Sequence, residues 1–200
     1  MSATIPMSKL DAVNLILADL GDRPVNSLVD ANRLDVTLAI QAIDASTRGI
    51  LSLGWWFNEE TIELTVDSAG RYNLPDDWTA IKYLSGGPTS GEHGVPNFVA
   101  RGRRLYDTTN NTDIFLLAPA VTLHFARLLE FEDMPMTARE YVYAVAAVRN
   151  QTRALGSAAV DPDLRQQTAN ALALLRNEEV ENSVEDLTYS PRFIGLMHNR

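Results

Sequence analysis

Apolar residues recur every three to four positions near both ends of this chain and at alternate positions through its middle. A helix buries a stripe of period 3.6 and a strand buries one of period 2, so no single kind of element accommodates both patterns. The chain is therefore bound to fold as helices at its two ends with strands between them.

The spacing predicts a first helix over Ser8 to Leu20, with Val13, Ile16, Leu17 and Leu20 on one face. Ser8 suits the cap, Asp11 complements the positive end of the helix dipole, and Gly21 supplies the stop. A second helix is predicted from about Asn32 to Leu53. Its stripe is Val36, Ala39, Ile40, Ile43, Thr47, Ile50 and Leu51, and Gly54 ends it. Thr61 to Val66 then reads as a strand, "DSAG" as a turn and "RYNL" as the return strand. "WTAIKYL" is a further short β candidate. "SGGPTSGEHGVPN" is loop by its glycines and prolines. "FVARG" and "RRLYD" suggest a hairpin, followed by the polar turn "TTNNTD".

Val121 to Phe131 alternates as a half-buried strand. Val121, Leu123, Phe125, Leu129 and Phe131 face one way, interrupted by Arg127. The acidic elbow "EDMP" follows. Thr137 then reads as an N-cap, with Glu140 completing a capping box, and the helix runs to about Leu155. Asp161 caps the last helix and Pro162 occupies its first position, where the missing N–H is harmless. Leu164, Ala171, Leu172 and Leu175 are its inner stripe.

The expected fold class is α+β: an antiparallel-packed bundle of about four helices, an inserted β lobe of short strands, and an extended C-terminal tail. The expected divisions are 1–54 for the N-terminal helices, 55–134 for the lobe, 135–184 for the C-terminal helices and 185–200 for the tail. With 200 residues and 46% hydrophobic content, the chain can bury a real core. "GWWFN" places Trp55, Trp56 and Phe57 where the second helix meets the lobe, which makes them candidate anchors between lobe and bundle.

Function classes narrow by elimination. The chain has no cysteine, so disulfides and thiolate metal sites are out. His93, His124 and His198 are too scattered for metal spacing, and no metal or cofactor is expected. "GGPTSGE" imitates the glycine spacing of a phosphate-binding loop, but Glu92 stands where the lysine belongs and would repel phosphate. Glu59 and Glu60 are adjacent on a strand and face opposite sides, so they cannot share a substrate. Glu130, Glu132 and Asp133 could form an acid/base pair, which keeps a saccharide hydrolase as the alternative reading. They also suit a solvated elbow. No run approaches the roughly 18 apolar residues of a membrane span, and the first residues lack the pattern of a signal peptide. The net charge of −9 opposes a general grip on DNA. Two charged groups stand out within it. Arg101, Arg103 and Arg104 make a basic hairpin suited to a subunit contact, and Glu178, Glu179 and Glu181 begin an acidic run.

Four stretches, "ILADLGDRPVNSL", "LLSLGWWFN", "LYDTTNNTDIF" and "LLEFEDMPMTAREYV", fall in the order and at about the spacing of the tail tubular protein A family. The chain resembles that family from about Leu10 to Glu181. Its members are the head-to-tail adaptors of short-tailed, podovirus-type phages. The resemblance implies a structural protein without enzymatic activity. It implies a homo-oligomeric, dodecameric ring in the virion tail, assembled in the host cytoplasm, between the portal protein and the tail nozzle (tail tubular protein B). Tail fibres are a further implied partner. Genomic DNA would leave through the ring during ejection without specific binding, and no membrane is implied. By the same resemblance Tyr189, Pro191, Phe193, Ile194 and Leu196 are portal-docking candidates. Arg101, Arg103, Arg104 and the loop from Ser85 to Pro96 are subunit or nozzle contacts. Glu178, Glu179 and Glu181 are channel-facing candidates, where negative charge would keep DNA from sticking.

Overall fold

The first helix, α1 (Lys9–Asp19), is closed at both ends by its own sequence. Ser8 accepts from the Asp11 amide while the Asp11 carboxylate accepts from the Ser8 amide, a complete capping box. At the other end Gly21 takes a φ of 76°. Its amide donates to Ala18 at 2.9 Å and that of Asp22 to Leu17 at 2.9 Å, which closes a Schellman motif. The computed structural model of the chain describes residues 6–29, 33–86, 98–115, 120–155 and 161–188. It divides into two compact units, Met1–Ile50 with Glu130–Arg200, and Leu51–Leu129.

In the helical unit, α1 is followed by α2 (Leu34–Leu51), α3 (Met136–Leu155) and α4 (Pro162–Thr188). Ala12, Val13, Ile16 and Leu17 are buried on α1, and Val36, Ala39, Ala42, Ile43, Ser46, Thr47 and Ile50 on α2. The α2 seam thus runs through Ala42 and Ser46, while Ile40 is only half-buried. Helix α3 packs against both α1 and α4. It is accordingly buried over more than half its girth, with alanines at 138, 144, 146 and 147. Lys9 pairs with Asp44 at 2.6 Å and so ties α1 to α2. On α4 the expected stripe holds, with Leu164 and Leu175 buried and Ala171 and Leu172 half-buried. Asp161 accepts from the Asp163 amide at 2.9 Å, and Pro162 is the first helical residue.

Two expectations for this unit need correction. Thr137 is not a cap. Helix α3 already begins at Met136, and the Pro135 carbonyl accepts its first hydrogen bond, from Arg139 at 3.0 Å. Glu140 is therefore not at a boxing position. The start is held instead by the Arg139 guanidinium, which donates to the carbonyls of Met134 (2.7 Å), Met7 (2.9 Å) and Glu132. Helix α4 also continues to Thr188, past the 184/185 boundary.

Among the described residues the β unit has five strands: β1 (Glu59–Leu64), β2 (Trp78–Gly86), β3 (Phe98–Arg101), β4 (Arg104–Asp107) and β5 (Val121–Arg127). An antiparallel sheet has the order β1-β5-β2, and β3 pairs with β4. Strand β5 is last in sequence yet central, which fits its buried Val121, Leu123 and Phe125. These align with Leu64, Ile62 and Glu60 of β1. Leu64, Tyr72, Leu74, Leu105 and Phe115 complete the core with them. The β3–β4 turn needs only two residues because Gly102 takes a φ of 60°.

Two strand boundaries differ from expectation. "RYNL" is no strand; it makes only the single bridges Val66↔Tyr72 and Asn73↔Arg104, and β1 finds its partner in β5. Strand β5 stops at Arg127, because its end is capped by the Asn58 side chain and carbonyl described below. Phe131 belongs to a short 3-10 turn, Phe131–Asp133.

Candidate functional site

The candidates of the sequence divide into those that the fold occupies locally and those left facing solvent. In the basic hairpin, all three arginines are engaged inside the β unit. Arg101 lies 3.6 Å from the Tyr106 ring centroid. Arg103 pairs with Asp76, and Arg104 with Asp113 at 3.3 Å, which also meets Arg71 at 3.1 Å. The guanidiniums remain largely exposed, so they hold their loops and still present charge outward. The loop at 87–97 lies outside the described residues, as do His93 and His198.

His124 stands on the polar face of the sheet. Its Nδ1 is 2.9 Å from Thr61 Oγ1 and its Nε2 is 2.9 Å from Glu59 Oε2. A hydroxyl, an imidazole and a carboxylate in line have the connectivity of an activated nucleophile. Here the trio lies across two neighbouring strands, with Thr61 exposed, and its evident effect is to lock β1 to β5. Glu60 is on the opposite face, paired with Arg127 at 2.9 Å. That separation of Glu59 from Glu60 is the one their adjacency predicts. Of the elbow carboxylates, Glu132 accepts from the Lys9 amide at 3.0 Å, and Glu130 and Asp133 are exposed. Among the described residues no group of three or more His, Asp or Glu could hold a metal ion. No described helix is long and apolar enough to cross a membrane.

The aromatic cluster splits. Trp55 is buried, while Trp56 and Phe57 are half-buried and meet edge to face at 5.0 Å. The residue beside them, Asn58, carries more of the geometry. It is 1% exposed, accepts from the Trp55 amide at 2.8 Å and donates to the carbonyls of Leu51 (2.9 Å) and Arg127 (2.7 Å). Its own carbonyl accepts from the Arg127 amide at 2.8 Å. The segment entering the β unit is thereby clamped to the one leaving it. A polar residue closing an aromatic run was the only sequence signal for this.

The acidic candidates lie on α4. Glu178 is half-buried and accepts from the Thr137 hydroxyl. Glu179 is half-buried and Glu181 exposed. The docking candidates Tyr189, Pro191, Phe193, Ile194 and Leu196 lie outside the described residues.

Two titrations bear on the helical unit. Burial, with the Asp161 charge adding to it, raises the Asp19 carboxyl above its ordinary range, against the opposing hydrogen bond from Tyr143. Burial and the same Asp19 push the Tyr143 phenol up to about 12. Their oxygens are 3.2 Å apart.

This arrangement offers rigid elements with closed junctions and charged outer faces, a set of features suited to assembly. Comparison with known proteins agrees. The profile of the family described as tail tubular protein matches residues 10–184. Tail tubular protein A of Klebsiella phage KP34 is 28% identical over 176 residues, an alignment covering 88% of this chain and 89% of that protein.

Proposed function

We propose, from the premise that this chain belongs to the tail tubular protein family, that it is a structural component of a phage tail serving as the head-to-tail adaptor. The observation that carries this reading is the extent of the match, residues 10–184, which takes in most of both segments of the helical unit and the whole β unit between them. In the proposed assembly, copies close into a dodecameric ring between the portal protein and the tail nozzle, and the genome leaves through the centre. Ring closure requires one interface repeated at a fixed rotation, so each subunit must be stiff. The Asn58 clamp and the closed helix ends provide that stiffness. A net charge of −9 favours passage of DNA over retention.

The apolar segment at 189–200 is the proposed portal contact. The test is to mix the chain with the portal protein of the same genome, with and without residues 189–200, and measure the mass and symmetry of the product. A twelvefold complex that forms only with the segment supports the adaptor role and its docking end. Absence of any complex, with a monomer persisting at high concentration, overturns it.

A further inference from the structure

Helices α3 and α4 leave an open groove of about 320 Å³ between them. Met7, Tyr143, Ala144, Ala171 and Leu174 give it an apolar lining, and Leu174 is 54% exposed in it. Glu140 is the one charged residue of that lining. It is half-buried and has no ion-pair partner among the described residues. A carboxylate partly withdrawn from water beside apolar walls calls for a cation carried on an apolar body.

Residues 189–200, outside the described residues, have that chemistry. They read "YSPRFIGLMHNR". Phe193, Ile194, Leu196 and Met197 are apolar, and the segment holds two arginines and no acid, in a chain with 26 acidic residues against 17 basic ones. Its attachment point lets it reach the groove. Helix α4 runs antiparallel to α3: Gln151 accepts from the Asp161 amide at one end, and the Thr137 hydroxyl meets Glu178 at the other. Leu174 is therefore beside Glu140, and Thr188, where α4 ends, is 14 residues further along. At a rise of about 1.5 Å per helical residue, that is about 21 Å. Extended chain covers about 3.4 Å per residue, so turning back along α4 carries Ile194 about 20 Å and Leu196 about 27 Å from Thr188. Those positions are level with Leu174 and Asn170 of the lining. Arg192, about 14 Å from Thr188, falls within side-chain reach of Glu140. Ser190 and Pro191 suit the turn back.

We infer that residues 189–200 dock on the α3–α4 groove of their own chain, with Ile194 and Leu196 on Leu174 and Ala171 and with Arg192 paired to Glu140. Tethering favours this occupant, because α4 itself holds the segment at a high effective concentration beside the groove. The portal contact proposed above uses the same residues. Groove and portal therefore compete for one segment, and portal capture requires its release.

The chain has no cysteine, so the full chain carrying Leu174→Cys/Leu196→Cys reports docking as a disulfide. Leu15→Cys/Leu196→Cys is the control, since Leu15 is exposed on α1 and outside the groove lining. Under mild oxidant, peptide mass mapping finds an intrachain disulfide that forms about tenfold faster in the first protein than in the control. Adding Glu140→Arg slows it by about fivefold, and adding Arg192→Glu as well restores it, which separates the ion pair from any loss of folding. Equal rates in the two cysteine pairs, or no disulfide in either, overturn the docking. A disulfide that forms only between chains makes the occupant a second copy and overturns it as well. All of these are read without portal protein, so their failure leaves the adaptor reading standing. Absence of the portal complex with the intrachain disulfide formed overturns the adaptor reading alone.

Discussion

The Asn58 amide donates a 2.7 Å hydrogen bond to the carbonyl of Arg127, 69 positions further along the chain. With its bonds to Leu51 and Trp55, this one side chain satisfies three backbone groups where the β unit begins and ends. Asn58→Ala leaves those groups buried without partners, at a cost of about 3 kcal/mol. Urea denaturation followed by tryptophan fluorescence measures it. Asn58→Asp keeps the acceptor and loses both donors, so it is also destabilising. A loss below 1 kcal/mol for Asn58→Ala, on the order of a single exposed hydrogen bond, would remove the clamp from this account.

Ser8→Ala removes the capping box of α1 and costs about 1 kcal/mol. Thr137→Ala tests something else, since its hydroxyl serves Glu178 on α4. Its effect disappears in a Glu178→Ala background, whereas that of Ser8→Ala persists. Thermal melts of Ser8→Ala and of Thr137→Ala, each in the wild-type and in the Glu178→Ala background and each against its parent, distinguish a cap from an interhelical contact.

Two glycine substitutions should have opposite signs. Gly21 is at positive φ with open space around it, so Gly21→Ala meets no clash and still costs about 1 kcal/mol in backbone strain. Gly49 is inside α2, and an added Cβ would be 3.8 Å from Arg149 Nη2, an ordinary contact. Gly49→Ala therefore stabilises by about 0.5–1 kcal/mol through helix propensity. Equal signs in thermal unfolding would contradict one of the two assignments.

The pH dependence follows from Asp19 and Tyr143. Asp19 binds its proton more tightly folded than unfolded, so its contribution is most favourable below the ordinary 3.8 and is lost as pH rises through its raised folded value. Asp19→Asn, which keeps an acceptor for Tyr143, is therefore more stable than wild type at pH 7. That advantage shrinks on acidification. Tyr143 adds an alkaline phase: stability falls from pH 10, where the unfolded phenol ionises, to about 12, where the folded one does. Tyr143→Phe reduces that phase and leaves the share of Tyr72, whose phenol burial also raises. Denaturation midpoints between pH 4 and 11 check both signs.

The sequence by itself determined whatever depends on neighbours within a few positions. The order of helices and strands follows from the two hydrophobic periods. The cap at Ser8, the Gly21 stop, the Asp161–Pro162 start and the Phe98–Asp107 hairpin follow from local hydrogen bonds and backbone preferences. Tertiary structure decided the rest. It put β5 between β1 and β2, because pairing is chosen by which strand buries most, not by order in the chain. It gave Thr137 to Glu178 and the start of α3 to Arg139, since an arginine in reach of Met7 outcompetes a local capping pattern. It also brought Glu140 of α3 beside Leu174 of α4. Linear sequence holds them far apart; only antiparallel packing of the two helices makes them walls of one groove.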